Sequence, residues 1–328
     1  VSIPKVLVIV GPTAAGKTAL SLDLARRFYG EIVSVDSRLF YRGMDIGTAK
    51  PSPAERRAVP HHLVDICAPD ETLSLSDFQR LAYAAIDDIL ARGRLPILVG
   101  GTGQYVMAVI EGWGIPEVPP QPALRRALGA LPAGEAARWL TALDPAAVER
   151  NDPRNVRRVV RALEVILTTG RRMTDLQEKT PPPYDFLILG AGRDREELYA
   201  RIDGRVEAMM AAGLLGEVEA LRDAGYSRRL PALSGLGYRQ LLAHLAGETT
   251  LAEAVERIKF DTHRFARRQG AWFRQSDPRI HWFNLSQGDG SADAVTALVR
   301  GWLEGPGDTA QEGTTLDKHA DPDRPVVG

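Results

Sequence analysis

The stretch VLVIVGPTAAGKT, residues 6–18, restricts the fold more than any other part of this chain. The apolar run Val6 to Val10 reads as a strand buried on both faces, the pattern of a parallel sheet with helices above and below it. The eight residues after it, GPTAAGKT, have the spacing of a loop that wraps phosphate. Gly11 and Gly16 let the backbone turn so that amide hydrogens around Thr13, Ala14 and Ala15 point inward, Lys17 adds a positive charge, and Thr18 offers a hydroxyl to Mg²⁺. KTALSLDLARRF then reads as a helix whose positive end meets the loop. Such a loop means phosphate binding without saying what becomes of the phosphate. Kinases, ATP-binding hydrolases and transferases that expel diphosphate all have use for it.

Strand and helix alternate from there. EIVSVDS is a second strand; SLSDFQRLAYAAIDDILARGR is a helix with Leu81, Ala85 and Ile89 on one side and Gly93 at its end; LPILVGGTGQY is a third strand running into a glycine-rich turn. This spacing predicts an α/β fold with a mostly parallel sheet and a core like that of P-loop nucleoside triphosphatases. Between Gly114 and Pro183 the pattern changes to prolines, short helical stretches and one arginine-rich helix, with strand character returning at YDFLILG and again at RIHWFNL. The expected division is a catalytic core of residues 1–114 and 184–303, a helical insertion of residues 115–183, and a disordered tail of residues 304–328 without apolar periodicity.

A net charge of -1 conceals local asymmetry: residues 150–172 hold seven arginines and two acids, and residues 257–279 hold seven Arg or Lys and two acids. Both segments suit a polyanion. The single cysteine, Cys67, excludes an internal disulfide and reads as a small packing residue. No apolar run is long enough for a membrane span and no secretory signal is evident, so a cytoplasmic monomer is expected. His61 and His62, with Asp65 nearby, lack the separated ligand set of a zinc site and read as hydrogen-bonding residues of a loop.

Ligands of open α/β sheets lie beyond the carboxyl ends of the strands, which places Asp36 opposite the phosphate loop. It could hold Mg²⁺ through water or accept a proton from a nucleophile, or cap a turn. Asp45, Thr48 and Lys50 read as a loop over a ligand, although Arg42 and Lys50 could simply be solvated. VGGTGQY delivers Thr102 and Gln104 to the same rim.

GPTAAGKT, SVDSRLFYRGMDIGTAK, PHHLVDI, LVGGTGQY, NDPRNVRRVVRALEV, GLGYRQ and RFARRQGAWFR occur in this order, and together they resemble the tRNA dimethylallyltransferases, also called tRNA isopentenyltransferases, from about Lys5 to Leu303. The resemblance implies transfer of a dimethylallyl group from dimethylallyl diphosphate to N6 of the adenosine at tRNA position 37, beside the anticodon. It implies Asp36 as general base, Lys17 and Mg²⁺ near Thr18 against the leaving diphosphate, loop contacts from Gly11 to Thr18, and Ser37, Thr102 and Gln104 near the adenine. The allyl tail needs an apolar wall, which Leu39, Phe40 or the core could supply. Three positions depart from the family: Leu39 stands where Gln is frequent, Ser234 where a longer polar or basic side chain is frequent, and Arg264 close to a frequent Gln. Arg239, five residues after Ser234, is a candidate to compensate.

For the tRNA, Arg154, Arg158 and Arg161 are spaced to share one helix face, with Val156, Val160, Leu163 and Leu167 toward the packing side. Glu149, Asp152 and Glu164 are available to neutralise some of them. Arg264, Arg267 and Arg268 form the second expected contact surface, with Phe265 and Trp272 at core-like spacing.

Overall fold

The computed structural model describes residues 3–150 and 152–305. Six strands form one sheet in the order β3-β2-β4-β1-β5-β6, and every pairing is parallel. They are β1 (Lys5–Val10), β2 (Gly30–Ser34), β3 (His61–His62), β4 (Leu95–Val99), β5 (Asp185–Gly192) and β6 (Ile280–Asn284). The apolar run in β1 is buried on both sides because strand side chains alternate: Val6, Val8 and Val10 enter one core, while Leu7 and Ile9 enter the other.

Helices α1 (Lys17–Arg27), α2 (Pro53–Ala58), α3 (Leu75–Ala91) and α4 (Gly103–Ile110) accompany the first strands. Ser74 caps α3 by accepting from the Asp77 amide, and Gly93 follows the helix end at a φ of 67°. The buried stripe of α3 is Phe78, Ala82, Ile86 and Ile89, so Leu81 and Ala85 flank it instead of centring it. The third strand runs into its glycine turn as expected, with β4 ending at Val99, but the turn is brief and Gly103 already belongs to α4.

Five helices follow without a strand: α5 (Pro122–Gly129), α6 (Glu135–Leu143), α7 (Pro145–Arg150), α8 (Val156–Thr169) and α9 (Met173–Leu176). They enclose their own core of Leu128, Leu140, Ala147, Val159, Val160 and Leu163. The chain leaves the sheet side and returns to it through adjoining segments, where the Gly114 amide donates to Glu178 O at 2.7 Å and the Thr180 amide to Gly112 O at 2.8 Å. Glu164 of α8 has no exposed side-chain surface; it pairs with Arg125 and Arg161 and accepts the Gln121 amide. Burial pushes this carboxyl up, but those three donors outweigh burial and hold it down at about 2.

The remainder comprises α10 (Arg195–Ala211), α11 (Leu214–Asp223), a 3-10 turn at Ala232–Ser234, α12 (Tyr238–Leu245), α13 (Leu251–Gln269) and α14 (Asp289–Glu304). A capping box between Thr250 and Glu253 starts α13. Periodicity had not singled out α14, which packs Val295 and Val299 into the second core and carries the chain through Glu304. The rest of the expected tail, from residue 306, lies outside the described residues. Among the described residues no helix is long and apolar enough to cross a membrane.

Candidate active site

The loop after β1 has its shape forced on it. A side chain at Gly11 would need a φ of 137° and would place its Cβ 2.3 Å from Ala191 O of β5. Ala14 sits at a φ of 65°, an uncommon conformation for a residue with a side chain. Arg201 of α10 donates to Ala14 O at 3.0 Å and Arg193 to Ala15 O at 2.9 Å. In a trans peptide the N–H lies opposite its carbonyl, so anchoring these oxygens outward turns the following amides toward the other side of the loop. Neither arginine was apparent from the sequence, since each reaches the loop from about 180 residues away and no local spacing marks it.

Lys17 folds back over the loop and donates to Gly11 O at 3.0 Å and Pro12 O at 2.8 Å. Burial lowers its amine to about 8; the Asp36 charge opposes that shift and Arg205 adds to it. Arg205, on α10, is itself lowered by burial and by the neighbouring Arg201. Lys17 and Arg205 thus concentrate positive charge beside the loop, with Asp36 close enough to act on the lysine.

A cavity of about 360 Å³ runs between the carboxyl ends of the central strands and the helices α10 and α13. Thr13, Asp36, Ser37, Thr102 and Arg205 line its polar side. Asp36 lies just past β2, where its Oδ1 accepts the Arg38 amide at 3.0 Å. The apolar wall comes from Ile202, Val206 and Met209 of α10 and Ile258 and Phe265 of α13. Leu39 and Phe40 are not part of it; Phe40 is buried against Phe78 and Tyr105 instead. Gln104 is exposed on α4 and also lies outside the lining, because the early start of that helix turns it from the rim.

An amide from elsewhere does bridge the rim. Gln269, at the end of α13 and only 5% exposed, accepts the Thr13 amide at 2.8 Å and donates to Gly101 O at 2.8 Å. It locks the phosphate loop to the turn that carries Thr102. The sequence signal was a lone neutral amide inside the basic run RFARRQGAWFR.

The loop of residues 45–50 closes one end of the cavity. Glu217 accepts the amides of Asp45, Ile46 and Gly47 and the Tyr238 hydroxyl, and burial with that carboxylate pushes the phenol far up. Lys50 is buried, not solvated: it pairs with Asp45 and Asp65. His61 bonds to Val59 O and His62 pairs with Glu31, and among the described residues no group of His, Cys, Asp or Glu could hold a metal. Burial raises the Cys67 thiol, consistent with packing.

Across the cavity, Arg38 donates to Pro231 O at 2.8 Å and Ala232 O at 3.1 Å, with Ser234 Oγ at 3.5 Å. Arg239 also lines the cavity, but its guanidinium bonds Asp261. A guanidinium therefore does stand beside Ser234, and it belongs to Arg38.

The arginines expected on one face of α8 divide. Arg154 precedes the helix and pairs with Asp152, while Arg158 is exposed. Arg161 is turned inward, donating to Pro116 O, Val118 O and Glu164, which makes it an anchor of the helical bundle. Val160 and Leu163 are buried as expected, but Val156 and Leu167 are exposed. On α13, Arg264, Arg267 and Arg268 are all exposed and Arg268 reaches the cavity lining; Phe265 forms cavity wall, and Trp272 is 41% exposed.

Fold and site together define an α/β protein in which the glycine-rich loop after β1 and the Asp36 carboxylate share one cavity. The profile of the IPP transferase family matches residues 39–276, and the chain belongs to that family. It is 54% identical to the tRNA dimethylallyltransferase of Roseiflexus sp. strain RS-1 over 91% of this chain and 98% of that protein. With the tRNA dimethylallyltransferase of Roseiflexus castenholzii the identity is 58% over 82% of this chain and 89% of that protein. Among solved structures, the tRNA isopentenylpyrophosphate transferase of Bacillus halodurans matches with a TM-score of 0.70 and 40% identity, covering 92% and 97% of the two chains. A eukaryotic dimethylallyltransferase acting on tRNA matches with a TM-score of 0.81 and 28% identity, covering 92% and 80%.

Proposed function

We propose that this protein transfers a dimethylallyl group from dimethylallyl diphosphate to N6 of adenosine at tRNA position 37, releasing diphosphate. The observation that carries the reading is that Asp36, whose charge acts on Lys17 of the loop, lines one cavity together with Thr13 of that loop and the apolar side chains Ile202, Val206, Met209, Ile258 and Phe265. An apolar wall beside the loop suits a diphosphate that carries a short hydrocarbon tail.

In this reading N6 attacks C1 of the allyl group, the C1–O bond to diphosphate breaks, and the N6 proton passes to Asp36. The adenine amine is a weak nucleophile, and proton acceptance becomes favourable as positive charge develops on it. Lys17, Arg205 and the amides of the loop stabilise the charge gathering on the departing oxygen. The five apolar side chains from α10 and α13 hold the allyl tail and exclude water from it. Ser37 and Thr102 border the adenine side.

Mg²⁺ fits as a companion of the diphosphate. Thr18 presents its side chain at the first turn of α1, and among the described residues no carboxylate cluster competes for the ion. The metal would be held by that hydroxyl and by phosphate oxygens, where it supplies further positive charge. For the RNA, Arg154 and Arg158 of the helical insertion and Arg264, Arg267 and Arg268 of α13 are the proposed phosphate contacts, and of these Arg268 lines the cavity.

The test is mass analysis of nucleosides from unmodified tRNA after incubation with the protein, Mg²⁺ and dimethylallyl diphosphate. A five-carbon adduct on the adenosine beside the anticodon is expected. A phosphorylated product instead, or an adduct on free adenine nucleotides alone, would overturn the reading.

A further inference from the structure

Outside the active cavity, the solvent side of α13 carries an arrangement that packing does not explain. Phe260 is 50% exposed, and two guanidiniums lie over its ring: Arg257 with its Cζ 5.4 Å from the centroid and Arg264 at 5.8 Å. Beside them a hollow of about 550 Å³ opens between α12 and α13. Its base is Asp261, whose Oδ2 accepts from Arg239 at 2.6 Å, from Gln240 at 3.0 Å and from Arg257 at 3.2 Å. Arg239 lines both this hollow and the active cavity, so the two are contiguous through one side chain.

Around the hollow and along α13 the charge is in positive excess: Arg239, Arg257, Arg264 and Arg268 stand against Glu253 and Asp261. Asp261 is shared by two guanidiniums, which leaves most of their N–H donors facing solvent, since the Arg239 and Arg257 side chains are 50% and 59% exposed. Glu253, the other acid at the hollow, bonds to the neutral Thr250 cap and keeps its charge, so the hollow itself is balanced and the positive excess comes from Arg264 and Arg268 further along α13. From Thr262 to Ser276 the sequence contains no acid at all. Arg257, Arg264 and Arg268 lie seven and four residues apart, about 10 and 6 Å along the helix axis, and the last of them reaches the cavity.

We infer that Arg239, Arg257, Arg264 and Arg268 form a track for the RNA strand leading away from the target nucleotide, and that Phe260 is the fixture that holds two of these guanidiniums in place. The inference rests on the tRNA reading above. A free arginine loses rotamer freedom when it binds a phosphate. Cation–π contact with Phe260 restricts Arg257 and Arg264 beforehand, so an uncharged residue contributes to affinity for a polyanion. Phosphodiester contacts of this type carry no sequence information; they set register and position.

The experiment is direct binding of unmodified tRNA, without turnover, across a salt series. R257Q/R264Q is expected to bind about tenfold more weakly at low salt, with the slope of log affinity against log salt reduced by about 1.4, two contacts at about 0.7 each for a single strand. F260A is expected to bind about threefold more weakly, to match F260L, and to add nothing when combined with R257Q/R264Q. R257K/R264K should restore the salt slope. Binding of dimethylallyl diphosphate in the absence of tRNA should be unchanged in all of them, because none of Arg257, Phe260 and Arg264 lines the active cavity. An unchanged salt slope in R257Q/R264Q overturns the track, and wild-type binding by F260L overturns the role of the ring. Wild-type protein that binds along this track yet makes no prenylated nucleoside would instead sink the proposed function and leave the track standing.

Discussion

In the proposed reaction Asp36 and Lys17 divide the chemistry, and separate measurements can tell their roles apart. Replacing Asp36 by Asn or Ala should lower the single-turnover rate by about 10² to 10⁴, with tRNA affinity kept within about twofold. A near-normal rate with both substrates saturating would refute the general-base role. The lysine should show itself in pH dependence. Burial holds its amine at about 8 in the free protein, and an arriving anion must raise it, so binding takes up a proton once the pH exceeds that value. Affinity for dimethylallyl diphosphate is therefore complete below about pH 8 and falls by up to tenfold per pH unit above it. Calorimetric titration between about pH 7 and 9.5 in buffers of different ionisation enthalpy would measure this uptake, and a flat affinity profile would contradict it.

At the scale of elements, α8 shows how a correct local reading can still misassign a residue. Its helical character was legible, yet Arg161 is claimed by Glu164 one turn later and by two carbonyls of the preceding segment. Removing the Glu164 charge leaves two guanidiniums without their buried partner, so E164Q should cost about 3 kcal/mol, read as loss of the insertion's cooperative melting. The wild-type contribution has a defined sign. The folded carboxyl sits near 2, below its ordinary value of 4.5, so its stabilisation is complete above about pH 4.5 and lost as pH falls toward 2. Acid titration of E164Q should lack that component. The core strand, phosphate loop and first helix were legible because their signal is continuous in sequence, and Asp36 because it follows a strand end. Gln269, Arg193, Arg201 and Arg205 were not, since each acts on residues far away in the chain and only the packing of α10 and α13 on the sheet brings them to the loop.

The whole molecule consists of a catalytic sheet and a helical bundle joined where Gly112 and Gly114 meet Thr180 and Glu178. Because the two connecting segments are hydrogen-bonded to each other, replacing residues 115–177 by a short glycine linker should leave a folded core. That core is expected to bind dimethylallyl diphosphate within about threefold of the full chain while losing at least tenfold in tRNA affinity. Equal tRNA binding by the shortened chain would remove the bundle from the RNA surface. The sheet itself has a further consequence. The phosphate loop hangs from β1, Thr102 follows β4 and Asp36 follows β2, three neighbours in the sheet order. Strand spacing of about 4.8 Å therefore acts as a ruler, setting the strand ends that carry the proposed base and the proposed diphosphate loop roughly 10 Å apart. Side-chain substitutions can change how fast the reaction runs between those marks, but the length of the interval is written in the backbone.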